Sequence, residues 1–221
     1  MSRKLLSLSC ALALIVQTAA ADVPKVAVGT APVHSLVAKV MQGVGTPALL
    51  MTASASPHDY SLRPSQAAAL QGADIVIWTG PELTPWLDRA VGSLARDARM
   101  LTLLDAEGTT VLDMREDALF EQHAHDDAHP ETEHADHHGA RDSHAWLMPQ
   151  NAAVWVEAIA AELAAADPGN AALYRANATA ARAEISEMEV EIDQLLTPLR
   201  GREYIVFHDA YQYFEIAFDM P

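Results

Sequence analysis

The sequence predicts an α/β fold: a four-stranded parallel, doubly wound amino-terminal lobe, a long rigid linking helix, and the incomplete beginning of a second α/β lobe. Three observations carry this. Short apolar runs alternate with stretches of helical apolar spacing as far as Leu104, the repeating unit of a parallel sheet. One uninterrupted helical pattern, from Pro168 to about Thr197, is much longer than the others. A new apolar run, Tyr204-Ile205-Val206-Phe207, follows it and reads as a strand.

Taken in order, the chain starts with a leader. Arg3 and Lys4 precede the apolar run Leu5 to Val16, which ends in Thr18-Ala19-Ala20-Ala21 before Asp22. Charge, run length and small-residue ending describe a secretory signal peptide over residues 1–21, too short to span a membrane. Cys10 lies inside it, so the mature chain contains no cysteine. Disulfides, thiolate zinc sites and cysteine nucleophiles are therefore excluded, and the compartment is an exported one, most simply a bacterial periplasm.

Val26-Ala27-Val28-Gly29 is the first strand, and Val33, Leu36, Val37, Val40 and Met41 mark a helix opened at Pro32. Pro47 to Met51 gives a second strand and completes a βαβ unit. Pro64 opens a helix through Leu70, Asp74 to Trp78 is a third strand, Pro85 to Leu94 a helix, and Met100 to Leu104 a fourth strand. A helix spans Ala152 to Ala165. Asp167-Pro168-Gly169-Asn170 then signals a helix start with Asp as cap and Pro in the first turn. Leu173, Ala176, Ala180, Ile185, Met188, Ile192, Leu195 and Leu199 extend this helix over roughly 45 Å at 1.5 Å per residue, long enough to join two lobes. An aromatic-rich helix, Tyr211 to Phe218, is last.

Between the fourth strand and Ala152 lies a segment of another kind. From Glu121 to Asp142 it interleaves His123, His125, His129, His134, His137 and His138 with seven carboxylates. Imidazole and carboxylate are ligands for borderline divalent cations, so the tract offers overlapping, interchangeable sites of low affinity and fast exchange. It has no apolar period on which to build a rigid cage. The formal net charge of −16, more negative still without Arg3 and Lys4, argues against nucleic acid and anionic membrane surfaces and suits attraction of cations.

The chain thus divides into signal peptide (1–21), amino-terminal α/β lobe (22–112), acidic His-rich loop (113–143), a helix of the amino-terminal lobe (144–166), linking helix (167–200) and the start of a second lobe (201–221). No further strands follow to complete a second sheet. Residues beyond about Arg200 are therefore expected to be frayed or associated with another chain, with His208 poorly held.

Three histidines outside the tract stand near predicted strand ends or helix starts: His58 after the second strand, His144 at the exit of the tract, and His208 after Phe207. Ligands of open α/β sheets bind beyond the carboxyl ends of strands, so the three are placed to converge on one cleft. Singly, each also reads as an ordinary surface or capping histidine. His34, at a helix start, reads as structural.

Ser56-Pro57-His58-Asp59-Tyr60-Ser61-Leu62-Arg63-Pro64-Ser65, Asp142-Ser143-His144-Ala145-Trp146-Leu147-Met148-Pro149-Gln150-Asn151 and Phe207-His208-Asp209-Ala210-Tyr211 resemble the three signature segments of the periplasmic zinc-uptake solute-binding proteins of ABC transporters. The resemblance covers nearly the whole mature chain in order and spacing. It implies two α/β lobes joined by a rigid helix, with Zn²⁺ held between them by His58, His144 and His208 and delivered to a membrane permease by a monomeric receptor. In manganese-binding relatives the third ligand is typically a carboxylate, so His208 favours zinc, as does imidazole chemistry. Water, Asp59 or Asp209 is left for the fourth position of tetrahedral zinc, and Asp209 is alternatively an orienting partner of a ligand histidine. Met148 stands where the family often has a polar or acidic residue, a change of local packing. Two other functions fit a three-histidine site or a His tract: a zinc hydrolase and a zinc buffer acting through the tract alone. The chain has no His-Glu-x-x-His helix, Gly-x-Ser-x-Gly turn or Gly-rich phosphate loop, and the reading adopted is a receptor and not an enzyme.

Overall fold

In the computed structural model, which describes residues 23–52, 54–115 and 141–221, four strands form one parallel sheet. These are β1 (Val26–Val28), β2 (Ala48–Leu49), β3 (Ile75–Trp78) and β4 (Arg99–Thr102), in the order β2-β1-β3-β4. Val28 pairs with Leu49 on one side and Ile77 on the other, and Trp78 with Thr102. β1 and β3 are buried along their whole length, as their continuous apolar runs require of strands covered on both faces. Their period of two divides the core. Val26, Val28, Ile75 and Ile77 join one apolar cluster, and Ala27, Val76 and Trp78 join the other.

The second cluster is closed by α2 (Pro64–Gln71) and α3 (Pro85–Leu94), through Leu70, Trp86 and Leu87. The first is closed by α1 (Ala31–Val40) and α4 (Pro149–Ala166), and then by α5 (Ala171–Leu196). α1 buries Val33, Val37 and Val40 at helical spacing, and His34 Nε2 meets the Pro47 carbonyl at 3.1 Å, a structural contact. α4 buries Trp155, Val156, Ile159, Ala160 and Leu163; Met148 packs into the same cluster. Ala178 and Ala181 bring α5 close against this layer, and Asn177 Nδ2 donates to the carbonyls of Val40 (2.9 Å) and Gln42 (2.8 Å). Among the described residues no helix is long and apolar enough to cross a membrane.

Three expectations are corrected at the end of the chain. Pro168–Asn170 forms a separate 3-10 turn before α5, because the Asp167 carboxylate accepts from Asn170 Nδ2 (2.7 Å) and the Tyr174 hydroxyl (3.0 Å) and folds the entering backbone back on itself. Tyr204–Phe207 is not a strand: no described strand pairs with it, and Ile205 and Phe207 are fully exposed. High β-propensity does not make a strand without a ladder partner. Part of the chain beyond Arg200 is nonetheless held. α6 (Gln212–Phe218) docks on the first apolar cluster through Tyr213, which is 0% exposed. Beyond Ile185 the apolar stripe of α5 runs out into solvent at Met188, Val190 and Leu195. The expected signal peptide (residues 1–21) and His123, His125, His129, His134, His137 and His138 lie outside the described residues.

Candidate metal centre

Three separate segments deliver one histidine each to the same place. His58 lies in the loop after β2, His144 just before the 3-10 turn that leads into α4, and His208 in the bend between α5 and α6. One ring nitrogen of each falls within 4.8 Å of the others. The ring centroids are 5.5 Å apart for His58 and His144, 6.2 Å for His58 and His208, and 5.4 Å for His144 and His208.

His144 is the fixed member. It is 7% exposed, and its Nδ1 lies 2.7 Å from Asp142 Oδ1, the same oxygen that accepts from the His144 backbone N–H at 2.9 Å. A carboxylate accepts only, so Nδ1 carries the proton and Nε2 the lone pair. That Nε2 is buried and has no hydrogen-bond partner. A buried polar atom left unpaired is costly, and a cation is the partner its lone pair suits. Trp146 packs on the ring at 5.3 Å.

His58 and His208 are exposed and supported from behind. Trp86 Nε1 donates to the Pro57 carbonyl at 2.8 Å, holding the backbone one residue before His58. Tyr60 packs on Trp86 at 5.3 Å, and its hydroxyl donates to Gln66 Oε1, which also accepts from the Arg63 N–H at the start of α2. On the other side Arg115 pairs with Asp209, at 3.6 Å, and with Glu215; Tyr204 Oη donates to the same Glu215 at 2.6 Å. These contacts fasten the backbone around His208 to Arg115, in the segment that follows β4. Asp209 thus faces Arg115, and Asp59 is exposed to solvent.

Crowding sets the electrostatics. His58 titrates below the ordinary 6.5, first because it is partly desolvated and then because His144 and His208 repel its proton. Burial pushes the Tyr213 phenol up, so it remains a hydrogen-bond donor: its Oη donates to the Asp142 carbonyl at 2.8 Å. Three neutral imidazoles are the donor set of a borderline divalent cation. Zn–N bonds of about 2.0–2.1 Å separate ligand nitrogens by roughly 3.4 Å. The ring nitrogens here lie within 4.8 Å of one another.

The sequence placed all three histidines near one cleft, and the structure brings them together. Asp142 escaped notice as the partner of His144, although Asp two residues before a buried His is the pattern of an Asx turn. Trp86, Arg115 and Tyr213 had no sequence signal, because their partners lie 29, 94 and 71 residues away.

The family model for the periplasmic zinc-uptake complex component A matches residues 26–221. The high-affinity zinc uptake system protein ZnuA of Paracoccus denitrificans is 42% identical over 226 residues, covering 95% of this chain and 68% of the relative. The protein of the same name from Brucella abortus is 37% identical over 216 residues, covering 88% and 65%. A crystal structure of a "138-173 ZnuA deletion mutant plus zinc bound" superposes with a TM-score of 0.71 at 27% identity, over 90% of this chain and 68% of that one. This chain spans about two thirds of the length of these relatives. With the α/β architecture and the match running to residue 221, the chain belongs to the family of periplasmic zinc-uptake complex component A proteins.

Proposed function

We propose that this chain is a periplasmic receptor that captures Zn²⁺ with His58, His144 and His208 and delivers it to the membrane permease of an ABC-type zinc importer. The observation that carries the reading is the unpartnered, buried Nε2 of His144 beside two exposed imidazoles, each on a separate segment. A donor set of three imidazoles favours zinc over the harder Mn²⁺. Names of relatives support the cargo: the Paracoccus protein is a high-affinity zinc uptake system protein.

The fourth position of tetrahedral zinc falls to water or to Asp59, adjacent to His58 in sequence, because Asp209 is engaged by Arg115. The acidic His tract within residues 113–143 serves as a secondary collector, α5 as the linking helix, and the receptor works as a monomer. The reading is of a receptor and not of an enzyme, supported by the match to a zinc-uptake component, and transport needs release of the ion, not turnover.

Metal titration tests this. Wild-type chain should bind one Zn²⁺ tightly and Mn²⁺ much more weakly, and His58→Ala, His144→Ala and His208→Ala should each abolish the tight site. Equal affinity for Mn²⁺, or a tight site that survives His144→Ala, would contradict the assignment; zinc-dependent turnover of ester or peptide substrates would favour the hydrolase.

A further inference from the structure

His144 and His208 are 64 residues apart in sequence, yet one short helix links their surroundings. α6 begins four residues after His208, and its second residue, Tyr213, is completely buried. The Tyr213 hydroxyl donates to the Asp142 carbonyl at 2.8 Å and accepts from the Leu112 N–H at 2.9 Å. Gln212, in the amide orientation that pairs both its atoms, donates to the Asp113 carbonyl at 3.2 Å and to Asp142 Oδ2 at 3.3 Å. The other oxygen of that carboxylate, Oδ1, receives Nδ1 of His144. α6 therefore grips Asp142 by carbonyl and carboxylate together, and Asp142 sets the ring of His144.

Packing alone does not explain the hydroxyl. Phenylalanine would fill the same apolar site, whereas a buried phenol is tolerated only when both its hydrogen-bonding roles are met, as they are here. Its removal would leave the Asp142 carbonyl and the Leu112 N–H without that partner and loosen the backbone that carries the Asp142 carboxylate.

We propose that Tyr213 is a positioning residue of the metal centre, its hydroxyl coupling the orientation of His144, through Asp142, to the placement of His208. This rests on the reading of the three histidines as the zinc site. The device makes the arrival of the third ligand and the alignment of the buried one a single event, so a rigid two-point site exists when α6 is docked.

The test uses the full mature chain, Tyr213→Phe, Asp142→Asn and the double variant. Zinc affinity is read by chelator competition, the ligand field from the visible spectrum of bound Co²⁺, and folding by circular dichroism. Tyr213→Phe should raise the zinc Kd about tenfold, the lower end of the effect of groups that orient ligands, and should alter the Co²⁺ spectrum. In the Asp142→Asn background the same change should have little further effect. An unchanged Kd and spectrum in a folded Tyr213→Phe protein would overturn the proposal, as would an equal loss in both backgrounds, which marks a general effect on stability. Should Tyr213→Phe not fold, Gln212→Leu, which removes the contact to the carboxylate, must weaken zinc binding; an unchanged Kd there overturns it equally. A wild-type chain without a tight zinc site would instead bring down the site assignment itself, and is seen before any variant is compared.

Discussion

Asp142 Oδ1 accepts from both the backbone N–H and the ring Nδ1 of His144, at 2.9 and 2.7 Å, so one oxygen closes a turn and fixes an imidazole. The ring cannot present Nδ1 to a metal while that contact holds, and Nε2 is left as the ligand atom. Asp142→Asn substitutes an amide that holds the ring less firmly. Zinc affinity should fall by about 10–100-fold, the usual effect of removing a group that orients a ligand histidine, with the chain still folded. Chelator competition on the folded variant measures it.

Proton competition gives a second expectation. The neutral form of each ring binds metal. Because His58 titrates below 6.5, first through desolvation and then through its two histidine neighbours, protons compete for that ring only below the ordinary imidazole value. Zinc affinity should hold at neutral pH and drop steeply as pH falls through about 6 to 5. In the metal-free protein the unfolded chain takes up the His58 proton more readily than the folded one. Its contribution to stability is thus present above 6.5 and lost as pH falls through the depressed value. Zinc binding that is flat between about pH 7.5 and 5 would indicate carboxylate ligands instead of imidazoles.

Trp86→Phe leaves an aromatic ring under Tyr60 but removes the donor to the Pro57 carbonyl. Loss of one such hydrogen bond costs about 0.5–1.5 kcal/mol. The loop carrying His58 is loosened as well, so zinc affinity should fall several-fold; calorimetric melting and zinc competition separate the two effects.

Asp167→Ala tests the join between α4 and α5. The Asp167 carboxylate titrates below its ordinary value because Asn170 and Tyr174 donate to it. Without it the buried Tyr174 hydroxyl loses its acceptor, at a cost of about 1–3 kcal/mol. Zinc affinity, set at the opposite end of α4, should be unchanged. The wild-type contribution should be present above the ordinary carboxylate pKa of 3.8 and lost as pH falls through the lower, folded value. Thermal melts as a function of pH read it directly.

Much of the fold was legible because β1 and β3 are continuous apolar runs and α1 and α4 keep a clean apolar face. Tyr204 to Phe207 shows the limit. Its residues suit a strand, but a strand is a property of two segments, and no described strand pairs with this one. The same limit hid the anchoring of α6: Tyr213 reads as one aromatic among several until its hydroxyl is seen on Asp142. At the metal centre the histidines were visible through their places near predicted strand ends and helix starts. Which carboxylate would face His144 was not, because Asp59 and Asp209 adjoin their histidines in sequence just as closely, while Asp142 reaches its ring by turning the backbone.

The most direct measurement is a calorimetric zinc titration of the mature chain beside two variants, one lacking residues 121–140 and one carrying His144→Ala. The deletion stops short of Arg141, which pairs with Glu82 and Asp105. The account predicts one tight site with several weak ones in the wild type, the tight site alone in the deletion, and the weak sites alone in His144→Ala. A tight site that disappears with residues 121–140 and persists in His144→Ala would contradict it.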